Sequence, residues 1–154
     1  MYLRVSCTGT SIALLLQFIQ NKIKIAMQTF FSEQAPKAVG PYAHAIRTGN
    51  LLYCSGQTPL VPESMTIEAA DIEGQTRRAL KNLEAVLQSA GLSFSNVVKT
   101  NVFITDMDLF SRMNGVYAEV FGTHRPARST VAVKGLPYNA LVEIECIAEF
   151  NNVN

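Results

Sequence analysis

The sequence predicts an α+β domain in which one β-sheet carries two helices on a single face. Three observations lead there: two stretches with helical apolar spacing, several shorter stretches that are β-branched or alternating, and their order along the chain, ββ(β)αβαββ. At 154 residues the chain fits one compact domain with its own core.

Gln28 to Ser32 reads as a short first strand, followed by a loop and the Gly40-Pro41 punctuation. Tyr42 to Arg47 and Leu51 to Cys54 flank Thr48-Gly49-Asn50, which is turn chemistry, so a β-hairpin is expected there. Ser55-Gly56-Gln57 ends the second arm, and Thr58 to Thr66, with two prolines, is a loop. Between Ala69 and Ala90, Ile72, Ala79, Leu80, Leu83, Val86 and Leu87 recur at helical spacing, and Gly91 is the stop signal. Val97 to Thr105 is a strand by its β-branched content. A second helix starts at Asp106 or Asp108 and buries Phe110, Met113, Tyr117, Val120 and Phe121 before Gly122 closes it. Arg128 to Val133 alternates as a strand, Gly135 to Ala140 turns, and Leu141 to Phe150 is the last strand. In that strand Val142, Ile144, Cys146 and Ala148 share one face, with Glu143, Glu145 and Glu149 on the other. Thr130, Ala132, Leu141 and Ile147, placed beside the glutamates, make that second face too apolar to stay wet, which points to a homo-oligomer.

Composition narrows the function. Residues 1–26 hold Arg4, Lys22 and Lys24 and no acidic residue, which leaves the remaining chain mildly acidic. With no Lys/Arg cluster it lacks the footprint of a nucleic-acid binder. The apolar run from Ser11 to Ile19 is too short to span a bilayer, so no membrane role is expected. Residues 1–26 read as an upstream extension before a start at Met27, or as a targeting segment, which would place the protein in mitochondria rather than the cytoplasm. The function is assigned to residues 27–154. Cys7, Cys54 and Cys146 form neither a disulfide framework nor a C-x-x-C zinc pattern, and two histidines, His44 and His124, lack metal-ligand spacing and any nucleophile motif. The expected chemistry therefore orients a substrate and a water without metal or cofactor.

Few polar residues sit where sites form, at strand ends and in punctuated loops. Arg128 opens a strand, where its planar guanidinium either grips a carboxylate bidentately or pairs on the surface with Glu143 or Glu145. A hairpin between the last two strands sets Glu143 beside it, either to hold a water or as a solvated strand glutamate. Tyr42 offers a phenol, Ser55 a hydroxyl, Gly56 room for close backbone approach, and Asn114 a polar group on a helix; each also has an ordinary packing, capping or exposed reading.

Taken together, Gly40-Pro41-Tyr42-Ala43-His44-Ala45, Cys54-Ser55-Gly56-Gln57, Val98-Lys99-Thr100 with Val102-Phe103, Asn114 to Tyr117, Arg125-Pro126-Ala127-Arg128-Ser129-Thr130 and Val142-Glu143-Ile144-Glu145 resemble the RidA/YjgF family in order and spacing. The pair R-P-A-R-S-T and V-E-I-E is the most specific part. The resemblance implies a chorismate-mutase-like fold, a homotrimer with a barrel-like core, and three sites between subunits. It implies hydrolysis of 2-iminobutanoate and 2-iminopropanoate, which otherwise damage pyridoxal-phosphate enzymes. In that picture Arg128 binds the substrate carboxylate and Glu143 holds the attacking water. Tyr42, Ser55, Gly56 and Asn114 shape the pocket, and the backbone near Thr130 meets the imine nitrogen. Position 130 carries threonine where many relatives have cysteine, so no reactive thiol is implied. The competing reading is a non-catalytic ligand-binding, chaperone-like or translation-inhibiting trimer.

Overall fold

The computed structural model describes residues 27–150; the expectations for residues 1–26 and for Cys7 lie outside them. Strands β1 (Gln28–Phe30), β2 (Ala45–Thr48) and β3 (Leu51–Gln57) precede helix α1 (Ile72–Ser89). Strand β4 (Val97–Ile104), helix α2 (Phe110–Phe121), β5 (Ala127–Ala132) and β6 (Val142–Glu149) follow. All six strands form one mixed sheet in the order β1-β2-β3-β6-β4-β5.

The local signals act as their chemistry requires. Gly49, at φ 58°, turns β2 into β3. Asp71 caps α1 by accepting a hydrogen bond from the Gly74 amide at 2.8 Å, a few residues inside the expected start. All six apolar positions read along α1 are buried. The second helix begins later than either aspartate suggests, because Asp106 instead caps a 3-10 turn at Met107–Leu109 that leads into α2. Gly122, at φ 57°, closes α2 as expected. Val142, Ile144, Cys146 and Ala148 are buried beneath the helices.

The order of the strands corrects the sequence reading. β5 is not the hairpin partner of β6: it runs parallel to β4, while β6 lies antiparallel between β3 and β4. The physical reason is α2, a crossover helix that returns the chain in the direction of β4 and so yields a parallel neighbour. A nine-residue connection then carries the chain to the opposite side of β4.

Facing pairs across a ladder share a side of the sheet, so register assigns every side chain. Thr100 pairs with Arg128 and Val102 with Thr130, and Thr100 and Val102 are fully buried core residues. Arg128, Thr130 and Ala132 thus lie on the helix side, not beside the glutamates as expected. Leu141 precedes β6 and packs against the core. Of the four residues expected on the outer face Ile147 alone stands there, in a cross-strand row with Ile46 and Tyr53, and Val131 joins Phe103 and Glu143 in another row. Tyr53 and Val131 are 45% and 47% exposed, so the outer face is both apolar and uncovered within one chain.

Candidate functional site

The predicted residues gather into two groups on opposite faces of the sheet. The first group lines a cavity of about 480 Å³ that holds Tyr42, Ser55, Gly56 and Glu143 together with His44 and Tyr138. Glu143 reaches this cavity from the outer face of β6. Its carboxylate presses on Gly56, where a Cβ atom would stand 2.0 Å from Oε1. Glycine is thus needed there for close approach to the site's own carboxylate. Burial, and then the charge of Glu145, push the Glu143 carboxyl above the usual carboxylate range. Glu145 is itself held by Asn101, whose Nδ2 donates to Oε1 at 2.7 Å.

Ser55 is more than a turn cap. Its hydroxyl donates to the Ala43 carbonyl at 2.7 Å and its amide donates to the His44 carbonyl, so the hydroxyl oxygen is left to accept from a ligand. The cavity wall is braced from the helix layer: Asn82, 1% exposed, donates to the carbonyls of Thr58 and Leu60. His44, to which the sequence reading gave no site role, is 3% exposed and accepts the Ser32 amide on Nδ1 at 2.9 Å, tying the N-terminal segment to the cavity. Burial lowers its pKa against the opposing Pro36 carbonyl, so it is a neutral brace and not an acid.

The second group lies on the helix side. Arg128 and Asn114 line a cavity of about 370 Å³ with Tyr117, His124 and Arg125. The Arg128 Cζ atom sits 4.5 Å from the centroid of the Tyr117 ring and 5.8 Å from that of Phe110. Among the described residues Arg128 forms no ion pair; the two that occur join Arg77 to Glu119 and Arg112 to Glu73. The alternative pairing with Glu143 or Glu145 is therefore overturned, since both lie across the sheet. Tyr117 is fixed in turn, its hydroxyl 2.8 Å from Thr100 Oγ1 and its ring stacked on Phe121 at 4.3 Å. Sequence periodicity gave Tyr117 to the core, which is correct, but could not show that its face supports a guanidinium. Asn114 is half-buried on this cavity, more enclosed than the exposed reading. Thr130 Oγ1 is buried without a hydrogen-bond partner.

Cys54 and Cys146 face each other across β3 and β6, both buried. Their mutual hydrogen bond, and then burial, push the Cys146 thiol up, which suits a packing role rather than a nucleophile.

The fold and these two cavities define a small α+β protein that presents ligand-sized polar clefts, one built around a guanidinium and the other around a carboxylate. The chain belongs to the RidA/YjgF family: the family model described as endoribonuclease L-PSP matches residues 32–150. A RutC family protein of Pyrococcus horikoshii is 47% identical over 121 residues, 79% of this chain and 96% of the relative. The chloroplastic Reactive Intermediate Deaminase A of Arabidopsis thaliana is 44% identical over 117 residues, 76% of this chain and 63% of the relative. Among solved structures, TdcF of E. coli with bound serine is 38% identical with a TM-score of 0.77, covering 80% of this chain and 99% of that one. The family thus includes a reactive intermediate deaminase, while other members carry names such as putative endoribonuclease or putative regulator.

Proposed function

We propose that the protein hydrolyses 2-imino acids, 2-iminobutanoate and 2-iminopropanoate among them, to 2-oxo acids and ammonia. It does so without a cofactor, as a homotrimer whose sites lie between subunits. The observation that carries this reading is Arg128: a half-buried guanidinium braced by the ring of Tyr117, with no carboxylate of its own chain beside it. Such a group is a preformed receptor for a ligand carboxylate. The serine bound to TdcF, an amino acid carrying that carboxylate, supports the choice of ligand class.

Arg128 and Glu143 face opposite sides of one sheet, so a site using both takes each from a different copy. The uncovered apolar row of Ile46, Tyr53 and Ile147 supplies a surface on which three outer faces close into a barrel-like core. In the assembled site Arg128 fixes the carboxylate with two parallel hydrogen bonds, and the protonated imine carbon is already electrophilic. Glu143 takes a proton from water as the water oxygen bonds to that carbon, and the C=N bond becomes a single bond to an amine. The same proton passes to the amine nitrogen; the carbinol hydroxyl then returns its proton to Glu143 as its C–O bond becomes C=O and the C–N bond breaks. The released ammonia takes that proton away as ammonium, leaving the 2-oxo acid and the Glu143 carboxylate. The raised carboxyl of Glu143 is the stronger base this step requires. Ser55 accepts from the imine N–H and the backbone at Thr130 borders it, while Tyr42 and Asn114 line the walls. The demand is modest, since holding a reactive imine and a water in line supplies most of the gain.

The test couples threonine dehydratase to the protein and traps surviving imine with semicarbazide. Wild-type protein is expected to outcompete the trap and Arg128→Ala is not. A wild type that fails to compete contradicts the reading; equal competition by both proteins removes Arg128 from the mechanism.

A further inference from the structure

We propose that Tyr138 sets side-chain preference in the Glu143 cavity, covering the apolar end of a bound imino acid so that extended apolar side chains are favoured over methyl or ethyl. The inference rests on the imine-hydrolase reading and specifies its substrate class.

The starting point is backbone strain. After Pro137, Tyr138 (φ 59°, ψ 20°) and Asn139 (φ 55°) both adopt left-handed conformations. Asparagine tolerates that region; a bulky ring there is an outlier. The conformation is imposed from downstream. Ala140 is fully buried and its amide donates to the Pro137 carbonyl, and the Leu141 amide donates to Gln75 Oε1 at 2.8 Å. Within its own chain, packing of the ring does not offset the strain, because Tyr138 is 52% exposed there. Strain of this kind persists where it places a group for use. Here it stands the phenol on the wall of the cavity that also holds Glu143.

The character of that cavity names the ligand end. Apart from the hydrolytic groups and the polar Lys37, His44, Gln57 and Thr58, its wall is Pro36, Val39, Tyr42, Leu60, Pro137 and Tyr138. At about 480 Å³ it falls within the range of whole-ligand pockets, much more than a methyl or ethyl group fills. Two tyrosine rings and four aliphatic or proline surfaces suit a branched or aromatic side chain.

The test compares wild type, Tyr138→Gly and Tyr138→Phe on imines generated from alanine, 2-aminobutyrate, leucine and phenylalanine by an amino-acid oxidase with catalase present, against the semicarbazide trap. Expected is a wild-type kcat/KM favouring the leucine and phenylalanine imines. That preference falls about tenfold in Tyr138→Gly and is kept in Tyr138→Phe. Glycine accepts the left-handed backbone, so the melting temperature of Tyr138→Gly stays at or above wild type and separates ring loss from misfolding. An unchanged preference in Tyr138→Gly overturns the assignment. If wild type hydrolyses none of the four imines, the deaminase reading fails and calorimetry with 4-methyl-2-oxopentanoate decides the role of Tyr138. Binding that is weakened in Tyr138→Gly upholds the side-chain contact, and equal or absent binding overturns it.

Discussion

Replacing Gly56 with alanine separates the position of the Glu143 carboxylate from its presence. The added Cβ would stand 2.0 Å from Oε1, 2.8 Å from Cδ and 3.0 Å from Cγ of Glu143, where ordinary contact begins at 3.4 Å. Oε1 must therefore retreat by about 1.4 Å, and because it is the far end of a flexible side chain it can do so by changing rotamer. The cost in stability is accordingly small, on the order of 1 kcal/mol, at the low end for overpacking. The cost in rate is not, since a displacement of about 1 Å in a positioned group can lose roughly 100-fold. Gly56→Ala is expected to lower kcat in the semicarbazide competition by about two orders of magnitude with little change in KM, because Arg128 holds the carboxylate from elsewhere. Thermal unfolding and sedimentation should match wild type within a few degrees and in mass. A folded Gly56→Ala protein with wild-type kcat would refute the role given to Glu143.

Other consequences follow from the same geometry. Tyr117→Leu removes the ring beneath Arg128, and with a cation–π contribution of about 0.5–2 kcal/mol KM should rise roughly 2- to 30-fold with kcat less affected; Tyr117→Phe, which keeps the ring and loses only the Thr100 bond, should stay near wild type in steady-state kinetics. Glu143 must be ionised to act as a base, and its pKa is raised, so the acid limb of the wild-type kcat/KM profile should lie above the ordinary carboxylate range. By linkage, a raised folded-state pKa favours the fold most below the unfolded value and loses that contribution as pH rises through the folded value. Glu143→Gln should therefore gain stability relative to wild type towards neutral pH in denaturant titrations. Thr130→Val removes a buried hydroxyl that has no partner and should raise stability by on the order of 1 kcal/mol with activity retained, as measured by urea unfolding and the trap assay.

Much of the fold was legible because its signals are local. The α1 stripe, the Gly49 turn, the Gly122 stop and the alternation of β6 each follow from a few neighbouring residues, and each stands where read. Strand order was not legible, because alternation in β5 and β6 says which residues share a face but not which strand lies alongside. That one uncertainty moved Thr130 and Ala132 to the helix side and Arg128 away from Glu143. The site residues were recognisable as a set only through the resemblance; singly, Tyr42, Ser55 and Asn114 have ordinary roles. The site roles of Tyr117 and Tyr138 were not legible, for opposite reasons. One looks like any core aromatic, and the other owes its position to a backbone conformation that a tyrosine does not advertise.

The central claim is that Arg128 of one copy and Glu143 of another complete a single site. Mixing tests it most directly: Arg128→Ala and Glu143→Gln proteins, each inactive alone, are unfolded together, refolded at equal amounts and assayed against the semicarbazide trap. Random assembly of trimers leaves both groups intact at about one interface in four, so activity should return to roughly a quarter of wild type. Refolded mixtures that form trimers and stay inactive would contradict the account.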